Sequence, residues 1–411
     1  MTEAPKKAQA YLQRLCVEIP NRRTGSPGNR EATTFFADIA RSHGFAIAAP
    51  VFACMDWEQA GVTLKVGDDA FAAFASPYAA GCRVEAVLAQ VSTVEELEAA
   101  EATGKILLLT GDLTREQLMP KNFPFYNPEA HQRIIRALEG QAPAAIITAT
   151  TRDPAMMGGG VYPFPLLVDG DFAIPSVYMT AEEGSRLASH VGQRVALASR
   201  ATRIPATGCN ISASKGDRSG RRVVAFAHID AWLDTPGAGD NASGTVVLLL
   251  LAELLADYAG GLGIELVAMN GEDYYSNPGE QQWLALNAGR FSDILLGINV
   301  DDVGYYRGKV GYSLYNCPAA VAAVVRQTFA AYDGLVAGEP WYQGDHGLFL
   351  LNAIPALALT SDQLAELMSG ITHTPHDTPA VVDVARLAEV AHALQALLVR
   401  LDQLVTDGQV G

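Results

Sequence analysis

The sequence predicts an α/β protein, with a mostly parallel central sheet flanked by helices and a smaller mixed β/α domain inserted into it. Three observations carry this reading. From Arg221 onward, apolar strands alternate with helices, the pattern of a largely parallel sheet. Between Trp57 and Arg203 the texture changes to short strands separated by turns. The chain has 411 residues, 49% of them apolar, too many for one ordinary core. The larger domain is expected to be discontinuous, at residues 1–55 and 206–411, with the insert at 56–205.

Apolar residues recur at helical spacing in AQAYLQRLCVEI and ATTFFADIARSHGF, so residues 3 to 19 and 29 to 43 are predicted helices. NRRTGSPGN between them has loop chemistry. Gly44 stands where a helix ends, and FAIAAPVF follows as a strand. In the middle, GVTLKVG, VEAVLAQV, GKILLLTG, AAIITAT and IPSVYMT read as strands, with HQRIIRALEG and AEEGSRLASHV as helices. RVALASRATRIPATGCNISASKGD reads as a strand leading into a connector. RRVVAFAHID, GIELVAMNGED and DILLGINVDD are then predicted strands that end in polar residues, and AIPALALTS is another short buried one. ASGTVVLLLLAELLADY is the helix after the first of these.

Lys and Arg number 29 and Asp and Glu 45, for a formal charge of −16. That balance argues against nucleic acid or an anionic membrane as partner. The first residues have no signal-peptide core, and the longest apolar run, from Val246 to Ala252, is too short for a bilayer. Five scattered cysteines without CxxC spacing fit reduced thiols in a cytoplasmic protein, although a processed leader, and so a secreted origin, stays open. A homo-oligomer is likewise left open.

The chemistry gathers where predicted strands end, at His228, at Glu272 and Asp273, and at Asp301 and Asp302. In an open α/β sheet, such ends converge on one edge. The loop carrying Asp240 starts there, and ITHTPHDTP adds His373, His376 and Asp377. Singly, each has a bland explanation: Asp240 fits a helix cap as well as a ligand, His228 fits a core histidine, and the acids fit turns. Jointly, buried carboxylates around histidine require positive charge. A divalent metal supplies it, and mixed nitrogen and oxygen donors suit zinc. More than four such groups point to two ions sharing one carboxylate. Asp230, two residues beyond His228, is placed to support its ring.

In order, HID, GAGDNASG, GED, NVDDVG and HTPHDT resemble the motif series of the M28 family of zinc-dependent aminopeptidases and carboxypeptidases. The resemblance covers roughly residues 1–55 and 206–411. It implies a metal-dependent exopeptidase acting on peptides, most simply an aminopeptidase with two Zn2+ ions. His228, Asp240 and Asp301 would hold one ion, and Asp240, Asp273 and His373 the other. Glu272 would be the general base, Asp230 would orient His228, and Asp377 would support His373. The resemblance also implies a cis bond between Asp240 and Asn241. The insert resembles the protease-associated domain of several relatives.

This sequence departs from the family pattern at three places. Asp273 stands where a Glu is usual, and YYSNPGEQQW replaces the usual Gly-Leu-x-Gly-Ser loop. Thr372 occupies the position of a Tyr that supports the oxyanion, which makes His346 the candidate replacement. A substrate amine calls for a carboxylate such as Asp302 or Glu272. A substrate carboxylate calls for Arg307 or Lys309, and Trp341 and Tyr342 are candidates to line a pocket. Two alternatives to the peptidase are a single-zinc glutaminyl-cyclase-type acyltransferase and a receptor-like relative without catalysis.

Overall fold

The computed structural model describes residues 3–19, 21–151, 162–217 and 220–408. The chain forms two compact units, Met1–Cys54 with Thr207–Gly411, and Met55–Ala206. The boundaries fall inside two 16-residue strands, Val51–Val66 and Arg194–Cys209.

At the centre of the first unit lies an eight-stranded sheet. Its middle is four parallel strands in the order Gly263–Met269, Arg222–His228, Ile294–Val300 and Ala356–Ser361. All residues of Arg222–His228 and Ile294–Val300 are buried, which is why both read as unbroken apolar runs rather than alternating ones. The flanks run the other way. Ile211–Lys215 pairs antiparallel with Gly263–Met269, and Val310–Tyr315 pairs antiparallel with Ala356–Ser361. The connector expected before residue 217 therefore contains a sheet strand. Ala46–Ala48 and Leu335–Ala337 complete the two edges.

The Gly244–Leu254 helix is apolar on every side, so it has to be covered on every side. It packs between the sheet and the Glu3–Gln13 and Val384–Thr406 helices. Burying each of its leucines contributes about 1.5–3 kcal/mol. Its first residue comes so close to the sheet that a Cβ on Gly244 would lie 2.2 Å from the Val300 carbonyl oxygen. Only glycine lets this helix start against the strand ends, and that start sets the turn carrying Asp240 above them. Near the N-terminus, Glu3–Gln13 continues as a π-helical turn, Arg14–Glu18, and Pro27–Ser42 begins at a Ser26 cap whose hydroxyl accepts from Asn29 N–H at 3.0 Å.

The second unit has its own eight-stranded sheet. Cys82–Val91, Ile106–Leu109, Ala145–Thr150 and Ser176–Thr180 run parallel in that order, and Arg194–Cys209 pairs antiparallel with the first of them. Successive residues of Ile106–Leu109 point to opposite faces, so Ile106 and Leu108 enter one apolar cluster while Leu107 and Leu109 enter the other. The Glu129–Gln141 helix contributes Ile134, Ile135 and Leu138 to the latter. Among the described residues, the two His and carboxylate groups able to hold a metal ion both lie in the first unit. No described helix is long and apolar enough to cross a membrane.

Candidate metal centre

The parallel strands deliver their polar ends to one edge of the sheet. His228 ends its strand level with Met269 of the neighbouring strand, whose carbonyl accepts from Ile229 N–H at 2.7 Å. Asp273 lies four residues beyond Met269, and Asp301 follows Val300 directly. Asp240 sits in the irregular turn Ala238–Ser243, and the peptide between Asp240 and Asn241 is cis. His373 arrives after the Leu364–Gly370 helix with a φ of 61°.

Asp240 occupies the centre. Its Oδ1 is 3.0 Å from His228 Nε2, and its Oδ2 is 3.0 Å from His373 Nε2. His228 Nε2 is also 3.5 Å from Asp301 Oδ1, and His373 Nε2 is 2.8 Å from Asp273 Oδ1. The donor atoms of His228, Asp240 and Asp301 lie within 4.8 Å of one another, and so do those of Asp240, Asp273 and His373. All five residues proposed from the sequence as ligands are thus brought together in two groups that share Asp240. Both ring nitrogens of His228, Oδ2 of Asp273 and Oδ1 of Asp301 are buried without a hydrogen-bond partner among the described residues. Orphaned nitrogen and carboxylate donors aimed at common points fit a divalent ion at each group.

The electrostatics agree. Burial opposes a charged His228, but Asp230, Asp240 and Asp301 outweigh it and hold its pKa well above the ordinary value. Burial likewise opposes charge on His373, and Asp273 and Asp240 overcome it. For Asp240, burial is outweighed by the two imidazoles, which hold the carboxyl far below its ordinary range. Glu272 stands aside from both groups, with its carboxylate 4.0 Å from His228 Nε2. Burial, with Asp273 and Asp301 beside it, pushes Glu272 well up.

Asp230 is 3.6 Å from His228 Nδ1, an ion-pair contact rather than a hydrogen bond. Its oxygens accept instead from Thr24 Oγ1 and Gly271 N–H, both at 2.9 Å. Asp377 differs from expectation. Its carboxylate accepts the backbone N–H groups of Gly239 at 2.6 Å and Asp240 at 3.0 Å, so it supports the turn of Asp240 rather than the ring of His373. Burial pushes Asp377 up to about 7. His376 faces solvent, leaving His373 as the inward histidine.

His346 does not serve as the oxyanion donor expected from the sequence. Its ring is fully buried, with Nε2 2.8 Å from the Trp341 carbonyl oxygen. That contact takes the one N–H of a neutral imidazole, and burial keeps the ring neutral by lowering its pKa. The ring packs instead against Trp341 and Tyr315. Arg307 is also placed elsewhere. It pairs with Glu366 at the surface and lies over the Tyr306 ring, so its charge is spent away from the cluster. Tyr342 is 70% exposed and touches Tyr315 edge-on, which leaves it a surface residue. Asp302 is buried, with φ at 50° and Oδ1 unpartnered among the described residues. Burial and the neighbouring Asp240 and Asp301 push it well up.

Several contributors escaped sequence reasoning. Trp232 stacks on His373, and Thr24 reaches Asp230 from the loop NRRTGSPGN. Asn270 and Asn29 exchange paired side-chain hydrogen bonds at 2.9 Å behind the cluster. Glu280 and Asp345 are buried acids, each with one oxygen unpartnered among the described residues. Glu280 is pushed up to about 8 by burial. The sequence marked NRRTGSPGN as a loop and YYSNPGEQQW as a departure from the family pattern, but spacing says nothing about contacts made across the fold.

Comparison with known proteins assigns the architecture. Residues 210–398 match the model of Peptidase family M28. A probable lipoprotein aminopeptidase, LpqL of Mycobacterium tuberculosis, is 22% identical over 392 residues, spanning 87% of this chain and 74% of that protein. The fold matches BSAP, a zinc aminopeptidase from Bacillus subtilis, with TM-score 0.75, 20% identity and coverage of 97% of this chain and 94% of that one. It also matches an aminopeptidase from Aneurinibacillus sp. strain AM-1, with TM-score 0.74, 21% identity and coverage of 96% and 93%. The matched segment contains His228, Asp240, Glu272, Asp273, Asp301 and His373, so the carboxylate and histidine cluster lies within the residues that match the model of Peptidase family M28.

Proposed function

We propose that the chain is a zinc-dependent aminopeptidase that hydrolyses the N-terminal residue of peptides at a two-ion site. The observation that carries this is Asp240, whose two carboxylate oxygens each lie 3.0 Å from a different imidazole. One carboxylate shared between two three-residue groups is the geometry of a bridge. His228 and Asp301 would complete one group, and Asp273 and His373 the other. Asp273 is shorter than the usual Glu, yet its Oδ1 already reaches His373 at 2.8 Å.

When bound, divalent ions lower the pKa of water and polarise a carbonyl. Glu272 is the general base in this reading. It makes none of the contacts that define the two groups and holds its proton more tightly than an ordinary carboxylate. A raised pKa suits a group that takes a proton from water and passes it to a leaving amine near neutral pH. Asp230 balances the charge of His228 from behind, and Asp377 fixes the backbone that presents Asp240. Asp302, buried with Oδ1 unpartnered among the described residues, is the acidic group we assign to the substrate's ammonium group. We assign the Met55–Ala206 unit to the protease-associated type, which implies substrate gating rather than chemistry.

The test is a panel of free and N-acetylated peptides, together with an N-terminal Gln peptide, run on protein of measured zinc content. Release of N-terminal residues from free peptides only, at two zinc ions per chain, is expected. Cyclisation of the Gln peptide without hydrolysis, or inactivity on every free peptide with both ions bound, overturns the reading.

A further inference from the structure

The loop NRRTGSPGN lies far from the cluster in sequence, yet Arg22 from that loop is among the largest fully buried side chains, at 1% exposure. A guanidinium cannot shed its charge in a protein, so its five N–H groups must be satisfied in place. They are satisfied mainly by main-chain carbonyls. Nε donates to Ile229 O at 3.1 Å, Nη1 to Leu15 O and Pro236 O at 2.7 Å each, and Nη2 to Gly237 O at 2.8 Å. Nη1 also lies 3.8 Å from Cys16 Sγ.

The partners are specific in position. Ile229 follows His228 directly, and Gly237 stands three residues before Asp240. The planar fork therefore ties the two roots of the loop that separates one proposed ligand from the other. Gly237 has φ 59°, and a Cβ there would lie 2.5 Å from Asp240 O and 2.9 Å from Arg22 Nη2. The backbone is thus packed directly on the guanidinium. Asp377 holds the next amides, those of Gly239 and Asp240. A buried cation fixes the carbonyls of this segment and a buried carboxylate fixes its N–H groups.

We infer that Arg22 is a positioning residue for Asp240, and that its grip on residues 236 and 237 is what allows both metal ions to be held at once. The inference rests on the two-ion reading above. A bridging carboxylate tolerates little displacement, because each oxygen must stay on its own ion, and supporting groups have to hold such geometry to about 0.5 Å. Lysine keeps the charge but brings three N–H groups on one nitrogen, and it cannot span Ile229 and Gly237 as the fork does.

The experiment titrates zinc chloride into metal-stripped full-length protein, for the natural chain and for Arg22→Lys, with far-UV circular dichroism and the melting temperature of the metal-free forms recorded beside it. The natural chain is expected to bind two ions. Arg22→Lys is expected to bind the first with similar affinity and the second at least tenfold more weakly. In Arg22→Ala, millimolar methylguanidinium is expected to restore the second ion. A merely structural arginine would lower the melting temperature and leave both zinc affinities unchanged, and that result overturns the inference. A chain that folds in neither variant makes Arg22 a folding residue and overturns it too. One ion in the natural chain rejects the two-ion reading, and the Arg22 assignment with it. Two ions in both chains, with equal affinities, reject the Arg22 assignment alone.

Discussion

The indole of Trp232 lies flat on the imidazole of His373, with ring centroids 4.7 Å apart and planes inclined by 13°. His373 sits at a φ of 61°, a conformation unusual for a residue with a side chain. Its Nε2 nevertheless points at both Asp240 and Asp273. The stacked indole fixes the plane in which that nitrogen can point.

Trp232→Ala should therefore weaken zinc binding about tenfold to a hundredfold, the usual cost of losing a group that orients a metal ligand. The loss should fall on one of the two ions, and Trp232→Phe should recover much of it. Competition titration with a chromophoric chelator measures both, and equal affinities in all three proteins would show that the stack is only packing.

Glu272→Gln should keep its zinc and lose activity by about a hundredfold to ten-thousandfold, the range for general acid–base catalysis. The side chain defines neither group of donors, so its charge can be removed without dismantling them. Zinc content and kcat on a leucyl peptide give the two readouts. Normal turnover in this variant assigns the base elsewhere.

Asp240→Ala should lose both ions, while Asp301→Ala and Asp273→Ala should each retain one. The difference follows from Asp240 facing both histidines while each of the others faces one. Elemental analysis of the three purified variants decides it, and two ions in Asp240→Ala would exclude the bridge.

Glu280 gives the metal-free protein a pH dependence. Burial pushes its folded pKa from the ordinary carboxylate range up to about 8. Between those values the unfolded chain has released the proton and the folded chain has kept it. The stability contributed by the neutral carboxyl is therefore full at low pH, falls as pH rises through this window and levels off above about 8. Glu280→Gln removes the dependence. In urea melts, the variant should gain on the natural chain steadily from pH 5 to pH 8, and a constant difference across that range would contradict the assignment.

Gly244→Ala should destabilise the first unit by about 1–3 kcal/mol or more, the cost of forcing an extra carbon into a packed site. The added Cβ would stand 2.2 Å from Val300 O, against rigid backbone rather than a movable side chain. Thermal melts check the stability. Because the same shift would lift the turn carrying Asp240, zinc content should fall with it.

Part of the site was legible because His228 and Asp301 stand at strand ends, where a polar residue after an apolar run is visible in one dimension. Asp273 lies beyond a strand, Asp240 in a turn and His373 after a helix, and these were legible through the motif series; all five converge in space. Roles that depend on direction were not legible. His346 looked free to donate, but folding aims its Nε2 at the Trp341 carbonyl. Asp377 looked like a partner of His373, and its carboxylate turns instead to the amides of Gly239 and Asp240. Arg307 finds Glu366 at the surface.

By itself, then, the sequence determined the alternation of strands and helices, the apolar helix after the Asp240 turn and the identity of the groups at the sheet edge. These follow from periodicity and from the cost of burying charge without a partner. The tertiary structure alone decided which oxygen faces which imidazole, that Arg22 and Thr24 reach the cluster from a distant part of the chain, and that Trp232 stacks on His373. Hydrogen bonds and ring contacts are set by distances of a few ångströms between segments far apart in sequence, such as Arg22 and Gly237, which are 215 residues apart. Local propensity is blind to that separation, and only packing resolves it.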